Sequence, residues 1–434
     1  MRSHHKILFG LIMAVMLISP VAKVPVDYFD FSIMPLKGHI VYAEYPEFTW
    51  QSWFDGSYQK NYEKYLEDHI GLRNFIVRIH NQMDFSLYRK CQNKGIIVGK
   101  EDYLYQMDYI DAYLGKTFIG YDAIIEKCDK IKAVQEELKK LDVELLIVMA
   151  PGKASMFPEY IPERYLNDST GISNNTAYLA CFQEHGINHI DFNTLFREMK
   201  DTYRYPLYHK CGIHWNVYGA YYALDSIVNY MEAAKGIDMA DMSYEGIEMS
   251  FKPRATDYDV GNALNIFSRI PDRAMPYPYG YKYITVGKDK PNLMVIADSY
   301  YWTIYNLHNS KRLWNEQDFR YYNMQLFSPD QPDKELKEIS VQEMQKFDFI
   351  MIVYTEQNVD VLANNFFEKA YAVLFESIRL EEIKASIRND EQWLTKIEAK
   401  AERKGISVEE MIDRDALWLL MKELENQSSN TNNE

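Results

Sequence analysis

Three apolar runs constrain this chain more than any other feature: residues 143–149, 292–297 and 347–354. Each has the length of a strand, and each is apolar on successive residues rather than on alternate ones. A strand covered on one face alternates, whereas a strand covered on both faces does not. The runs therefore predict central strands of a mostly parallel sheet with helices on both sides. Helical patterns separate them. Ile124, Cys128, Ile131, Val134, Leu138 and Leu141 mark one helix face. Val217, Ala220, Tyr221, Leu224, Ile227, Val228 and Met231 mark another, opened by Asn216 as N-cap. Residues 187–192 read as a further short strand and 300–308 as a helix. This alternation defines an α/β protein.

Composition narrows the function classes. The 434 residues are 47% hydrophobic, enough for a sizeable core and too apolar for general disorder. A net charge of −15 argues against nucleic acid as a partner, since that needs concentrated Lys and Arg. The 35 tyrosines suit sugar faces, although core and rim packing is their commoner use. Cys91, Cys128, Cys181 and Cys211 form no CxxC, and no histidine stands at metal spacing, so a metal is not expected. The thiols read either as buried free cysteines or as one or two disulfides. There is no Gly-rich phosphate loop or dinucleotide fingerprint, and no cofactor is expected.

Arg2, His4, His5 and Lys6 precede an apolar run at residues 7–22, which reads as an export signal. No small-x-small cleavage site comes after it, so residues 1–23 read as a signal anchor that leaves the rest extracytoplasmic. Residues 24–90 read as an N-terminal helical segment. In it, Tyr58, Tyr62, Leu66 and Ile70, then Phe75, Ile79, Met83 and Leu87, recur every fourth position, which predicts a hairpin packed on the α/β domain after it. That domain spans 91–365, opening with a short strand at 95–99. Within it, residues 236–290 read as irregular and 276–281 as a surface loop. A charged helical extension covers 366–426, with Ser407 and Glu410 as a capping box before a last helix ending near Leu424. Residues 427–434 read as a disordered tail.

Two residues carry the chemistry. Ser299 comes after the run at 292–297 with only Asp298 between, which would expose its hydroxyl at the sheet edge beside a helix start. His214 stands just before the helix opened by Asn216. Alone, Ser299 reads as a helix cap and His214 as a structural histidine. Together they are a nucleophile and a base for acyl transfer. Weaker candidates are Lys153, in a loop at a strand's carboxyl end, and Tyr300 and Trp302 as sugar-stacking rings. Cys211 offers a thiol, but Ser299 occupies the better corner.

The order of these motifs resembles the SGNH-hydrolase-like proteins of polysaccharide O-acetylation, the periplasmic alginate-acetylation proteins and their relatives. His214-Trp215-Asn216 running into Tyr218-Gly219-Ala220 precedes Asp298-Ser299, which is the family's permuted order. Trp53-Phe54-Asp55-Gly56, Glu67-Asp68-His69, Gly99-Lys100 with Tyr103-Leu104-Tyr105, Ala150-Pro151-Gly152-Lys153 and Asp257-Tyr258-Asp259 resemble other family segments in the same order. The resemblance runs from about residue 45 to 365. It implies an SGNH-like, flavodoxin-like three-layer sandwich with helical extensions at both ends. It also implies an acetyl-serine on Ser299, with His214 as general base and backbone N–H groups near Ser299 holding the oxyanion. The implied partners are a polysaccharide acceptor, a multi-pass membrane acyltransferase as acetyl donor, and the membrane itself through the N-terminal helix. Transfer to water instead would make the protein an esterase. One position departs from the pattern: the family's aspartate two residues before the histidine is Gly212 here. Three readings stay open. Asp191 or Glu356 orients His214, a backbone carbonyl does so, or the chain is a non-catalytic glycan-binding or scaffold subunit of an export complex.

Overall fold

The computed structural model describes residues 35–38, 41–69, 73–166, 171–307, 310–329 and 331–431, together with Ile7, Gly10, Leu11, Met13 and Ala14. The apolar run at 7–22 lies largely outside the described residues. Among those described, no helix is long and apolar enough to cross a membrane.

The chain forms two compact units. The larger contains residues 107–209, 214–257 and 273–434. Its sheet has six strands: β1 (Glu144–Ala150), β2 (His189–Asp191), β3 (Leu293–Ala297), β4 (Gln317–Tyr321), β5 (Gln325–Phe327) and β6 (Phe349–Thr355). They lie in the order β5-β4-β3-β6-β1-β2. All neighbours are parallel except β4 and β5, which form an antiparallel hairpin. The helices used below are α1 (Tyr121–Lys140), α2 (Asn174–His185), α3 (Phe192–Met199), α4 (Val217–Lys235), α5 (Tyr301–Tyr305), α6 (Phe366–Phe375), α7 (Ser377–Asn389), α8 (Glu391–Lys404) and α9 (Val408–Thr431).

Both faces of the sheet are covered, as the uninterrupted apolar runs require. On one face Leu145, Ile147, Met294, Ile296, Ile350 and Ile352 join a core with Ile124, Cys128, Ile131, Val134 and Leu138 of α1. On the other face Leu146, Val148, Val295 and Val353 are fully buried. The C-terminal helices belong to that first core: Phe366, Ala370, Ile383, Ile397, Ile412 and Leu420 all enter it. They pack as part of the domain rather than as an appendage to it. The last helix also continues past Leu424 to Thr431.

The smaller unit contains residues 1–106, 210–213 and 258–272. Its N-terminal helices form at Trp50–Phe54, Ser57–His69 and Arg73–Tyr88, and Ile96–Val98 pairs with Leu104–Gln106. The packed face differs from the one periodicity suggests. Phe75, Ile79, Met83 and Leu87 remain exposed, whereas Arg78 and Phe85 are buried. Arg78 donates to the carbonyls of Pro35 and Ile266, and Asn81 to that of Leu264. Hydrogen bonding to irregular backbone, invisible to an apolar count, selects that face.

The stretch read as a surface loop is a strand in the larger unit. Met275–Tyr279 pairs antiparallel with Gly246–Ser250, and Tyr277 is buried. Prolines are tolerated because a two-stranded ribbon leaves one edge of each strand unpaired.

Candidate active site

The carboxyl ends of the parallel strands gather the candidate side chains. The loop from Pro151 comes after β1, Asp191 ends β2, Asp298 and Ser299 come after β3, and Glu356 comes after β6. This is the edge where open α/β sheets bind ligands.

His214 and Ser299 meet there. The His214 Nε2 lies 2.9 Å from the Ser299 Oγ, across 85 residues of sequence. Two separate pieces of local structure make this possible.

The first is the loop before α4. Tyr208 and Trp215 form an isolated antiparallel bridge, and the Asn216 amide donates to the Leu207 carbonyl at 2.9 Å. The Asn216 side chain closes the loop twice, donating to the Pro206 carbonyl at 2.7 Å and accepting from the Gly219 amide at 2.8 Å. It is at once a helix cap and a loop clamp. Gly219 permits the close approach, because a Cβ there would lie 2.9 Å from the Leu207 oxygen. Trp215 is fully buried against Phe192 and Phe196 of α3. Its Nε1 donates to the Tyr300 carbonyl at 3.2 Å. The residue after His214 is thereby tied to the residue after Ser299.

The second is the corner after β3. Asp298 is fully buried, and its Oδ1 accepts from the Tyr300 amide at 3.0 Å. Its Oδ2 accepts from the Thr355 amide at 2.8 Å, the Thr355 hydroxyl at 2.5 Å and the Asn358 side chain at 2.9 Å. Four donors satisfy one buried carboxylate and stitch the end of β3 to the end of β6. The Tyr300 amide, adjacent to Ser299, is thus turned to Asp298. The Ser299 hydroxyl lies at the half-buried margin of this corner.

Beneath the pair runs a line of phenols. Tyr109, Tyr208, Tyr300 and Thr355 are all buried here. Tyr208 donates to the Pro151 carbonyl at 2.9 Å. Burial holds all three phenols well above their usual range, so they stay neutral donors. The Tyr300 ring lies 4.8 Å from the His214 ring.

The remaining candidates are placed at varied depths around the pair. Tyr300 is fully buried under His214 rather than set on an open face. Lys153 is also fully buried, and its Nζ donates to the His209 carbonyl at 2.8 Å. Trp302 is half-buried among Tyr305, Phe319, Tyr321 and Phe327. Asp191 caps α3 by accepting from the Thr194 amide at 3.0 Å. Glu356 is buried and accepts from the Ser155 hydroxyl. Burial raises its pKa from the ordinary 4.5, against the opposing effect of hydrogen bonds from Ser155 and Asn193. Gly212 belongs to the smaller unit and His214 to the larger. Among the described residues, no group of three His, Cys, Asp or Glu side chains is arranged to hold a metal ion.

Residue types and order pointed to His214 and Ser299. The roles of Trp215, Asp298 and Tyr109 had no comparable signal. Trp215 and Asp298 adjoin the reactive residues in sequence, but which backbone groups they bind is decided by the fold. Tyr109 is distant in sequence from both.

Parts of this chain are similar to known proteins. Residues 96–273 match the family model of the SGNH hydrolase-like domain, acetyltransferase AlgX. That part of the chain is similar to the SGNH hydrolase-like domain of the acetyltransferase AlgX family. His214 lies inside the matched span, and Ser299 lies beyond it. A probable alginate O-acetylase, AlgJ of Pseudomonas syringae pv. tomato, is 23% identical over 107 residues, covering 25% of this chain and 26% of the relative. The match thus spans about a quarter of that curated protein. Among solved structures, the O-acetyltransferase domain of Pseudomonas putida AlgJ is 14% identical with a TM-score of 0.42, covering 65% of this chain and 99% of its own. Pseudomonas aeruginosa AlgX is 14% identical with a TM-score of 0.41, covering 64% of this chain and 66% of its own.

Proposed function

We propose that this chain is an extracytoplasmic O-acetyltransferase that modifies a polysaccharide through an acetyl-serine on Ser299. The observation that carries the reading is the 2.9 Å contact between His214 Nε2 and Ser299 Oγ at the carboxyl edge of the sheet. His214 takes the hydroxyl proton as Ser299 attacks the acetyl carbonyl, then returns it to the leaving group. The Ser299 amide supports the developing oxyanion, with the Tyr300 amide held on Asp298. In the second half His214 deprotonates a sugar hydroxyl, which collects the acetyl group. Water in its place gives esterase activity.

Two groups assist without touching the substrate. Trp215 and Asp298 fix the base loop and the nucleophile corner relative to each other. Lys153 and Trp302 belong to the reading as substrate-side groups, and Asp191 or Glu356 as the acid that orients His214. The polysaccharide acceptor comes from the relation to the alginate O-acetylases. The apolar run at 7–22 supports export and attachment to the membrane, where a multi-pass acyltransferase would supply the acetyl group.

Acetyl release from 4-nitrophenyl acetate by the full chain tests this, with Ser299→Ala and His214→Ala measured beside it. Loss in both variants is expected. Activity that survives both removes the site, and a parent chain that binds glycan without releasing acetyl would leave binding as the function.

A further inference from the structure

The helix Arg73–Tyr88 is turned the opposite way from a helix on a water-exposed surface. Its polar side is the packed one: Arg78 is buried on the carbonyls of Pro35 and Ile266, and Asn81 donates to that of Leu264. Its apolar side faces out. Phe75, Ile79, Met83 and Leu87 recur every fourth position with Ile76 beside them, and all are exposed, from 39% at Ile79 to 66% at Leu87. Phe267, itself exposed, extends the stripe against Phe75, with ring centroids 5.4 Å apart. All of these residues belong to the smaller unit. Apolar side chains left in water forfeit their burial energy, and a contiguous exposed stripe marks a surface that something else covers.

We propose that this stripe lies on an anionic lipid surface, as a second membrane contact besides the apolar run at 7–22. Two observations choose that occupant. The first is charge. The whole chain carries −15, which an anionic surface repels, yet residues 85–100 hold Arg89, Lys90, Lys94 and Lys100 and no acid. Arg89 is engaged with Asp102 at 3.2 Å, whereas Lys90 and Lys94 are exposed just beyond the end of the stripe. Lysines flanking an apolar stripe are how interfacial helices hold to lipid: the apolar side chains sink into the headgroup boundary and the ammonium groups meet phosphates. The second observation is the tether. The Arg78 Nη2 donates to the Pro35 carbonyl at 2.8 Å, which fixes Pro35 at this helix. Only residues 23–34 lie between Pro35 and the apolar run, and they can span at most about 45 Å. With that run in a bilayer, the stripe stays within reach of the same surface. The inference rests on the reading of residues 7–22 as a membrane segment and adds a lipid contact made by the folded smaller unit.

The test uses the full chain in phosphatidylcholine vesicles made with and without phosphatidylglycerol, each carrying a photoactivatable diazirine phospholipid. After illumination, lipid adducts are mapped by peptide mass. Adducts within residues 7–22 report the anchor and adducts within 74–89 report the stripe, so the two readings fail separately. The expected result is adducts at both places in anionic vesicles, with those on the stripe several-fold fewer in neutral vesicles or at high salt. Ile79→Glu with Met83→Glu should cut the stripe adducts several-fold, as should Lys90→Glu with Lys94→Glu, while adducts within 7–22 persist. All four positions are exposed, so the thermal midpoint of each variant should match the parent. Adducts within 7–22 alone would overturn the stripe's lipid contact and spare the anchor, and adducts at neither place would overturn both. Stripe adducts indifferent to lipid charge would also overturn the proposal, as would a stripe covered by a second copy of the chain, seen as a dimer that Ile79→Glu with Met83→Glu splits.

Discussion

Two histidines in this molecule lie beside a nucleophilic side chain, and the two pairs are built differently. His185 and Cys181 stand four residues apart on one helix, where any helix brings side chains together. His214 and Ser299 stand 85 residues apart, on a loop and a corner that are each clamped by their own hydrogen bonds. The first contact comes with helix geometry. The second needs Asn216, Trp215 and Asp298 to hold two independent pieces of backbone in register. The difference lies in what positions each pair. An acyl-transfer site needs its base within hydrogen-bond reach of the nucleophile, and misplacement of about 1 Å can cost roughly 100-fold.

The sharpest way to break this contrast is to remove each histidine. Ser299→Ala and His214→Ala should each lower acetyl release by at least about 1,000-fold. His185→Ala should leave it within about two-fold. Equal losses at both histidines would dissolve the distinction.

Asp298→Ala should act on stability first. It strands the Tyr300 and Thr355 amides at a buried corner, and each buried donor left unsatisfied costs about 1–3 kcal/mol. The denaturant midpoint should fall accordingly, where a fall no larger than for a surface substitution would contradict the assigned role.

Trp215→Phe keeps the ring against Phe192 and Phe196 but loses the bond to the Tyr300 carbonyl. Stability should drop by about 1 kcal/mol. Turnover should fall while KM stays near its original value, because the substitution loosens the base rather than the substrate. A change in KM alone would assign Trp215 to binding.

The smallest effect is at Glu356. Its folded-state pKa is raised by burial, so the folded state favours the protonated form. The stability this provides is fully present below the ordinary value of 4.5 and is lost as pH rises through the folded-state value. Glu356→Gln should remove that decline, so the variant gains relative to the parent as pH increases. Parallel unfolding curves against pH would refute it.

These contrasts also mark how far the sequence could be read. The central strands were legible because residues such as Leu145, Leu146 and Ile147 are apolar in succession, which only double-sided burial explains. His214 and Ser299 were legible as a pair from residue type and order. Their clamps were not, because the Trp215 indole and the Asp298 carboxylate bind backbone groups that only the folded chain brings near. The N-terminal stripe of Phe75, Ile79, Met83 and Leu87 misdirected for a related reason. Its helix packs through Arg78 and Asn81 onto carbonyls, and polar recognition of irregular backbone leaves no periodic trace. Pro276 and Pro278 misdirected because prolines suggest a loop, while a ribbon edge accommodates them.

The central claim is that Ser299 carries the acetyl group. Rapid-quench peptide mapping of the full chain mixed with 4-nitrophenyl acetate reads this directly. The account predicts transient acetylation of the peptide containing Ser299, formed as fast as the first 4-nitrophenol is released and absent in Ser299→Ala. Undiminished release with the label on another residue, or with no covalent acetyl at all, would contradict it.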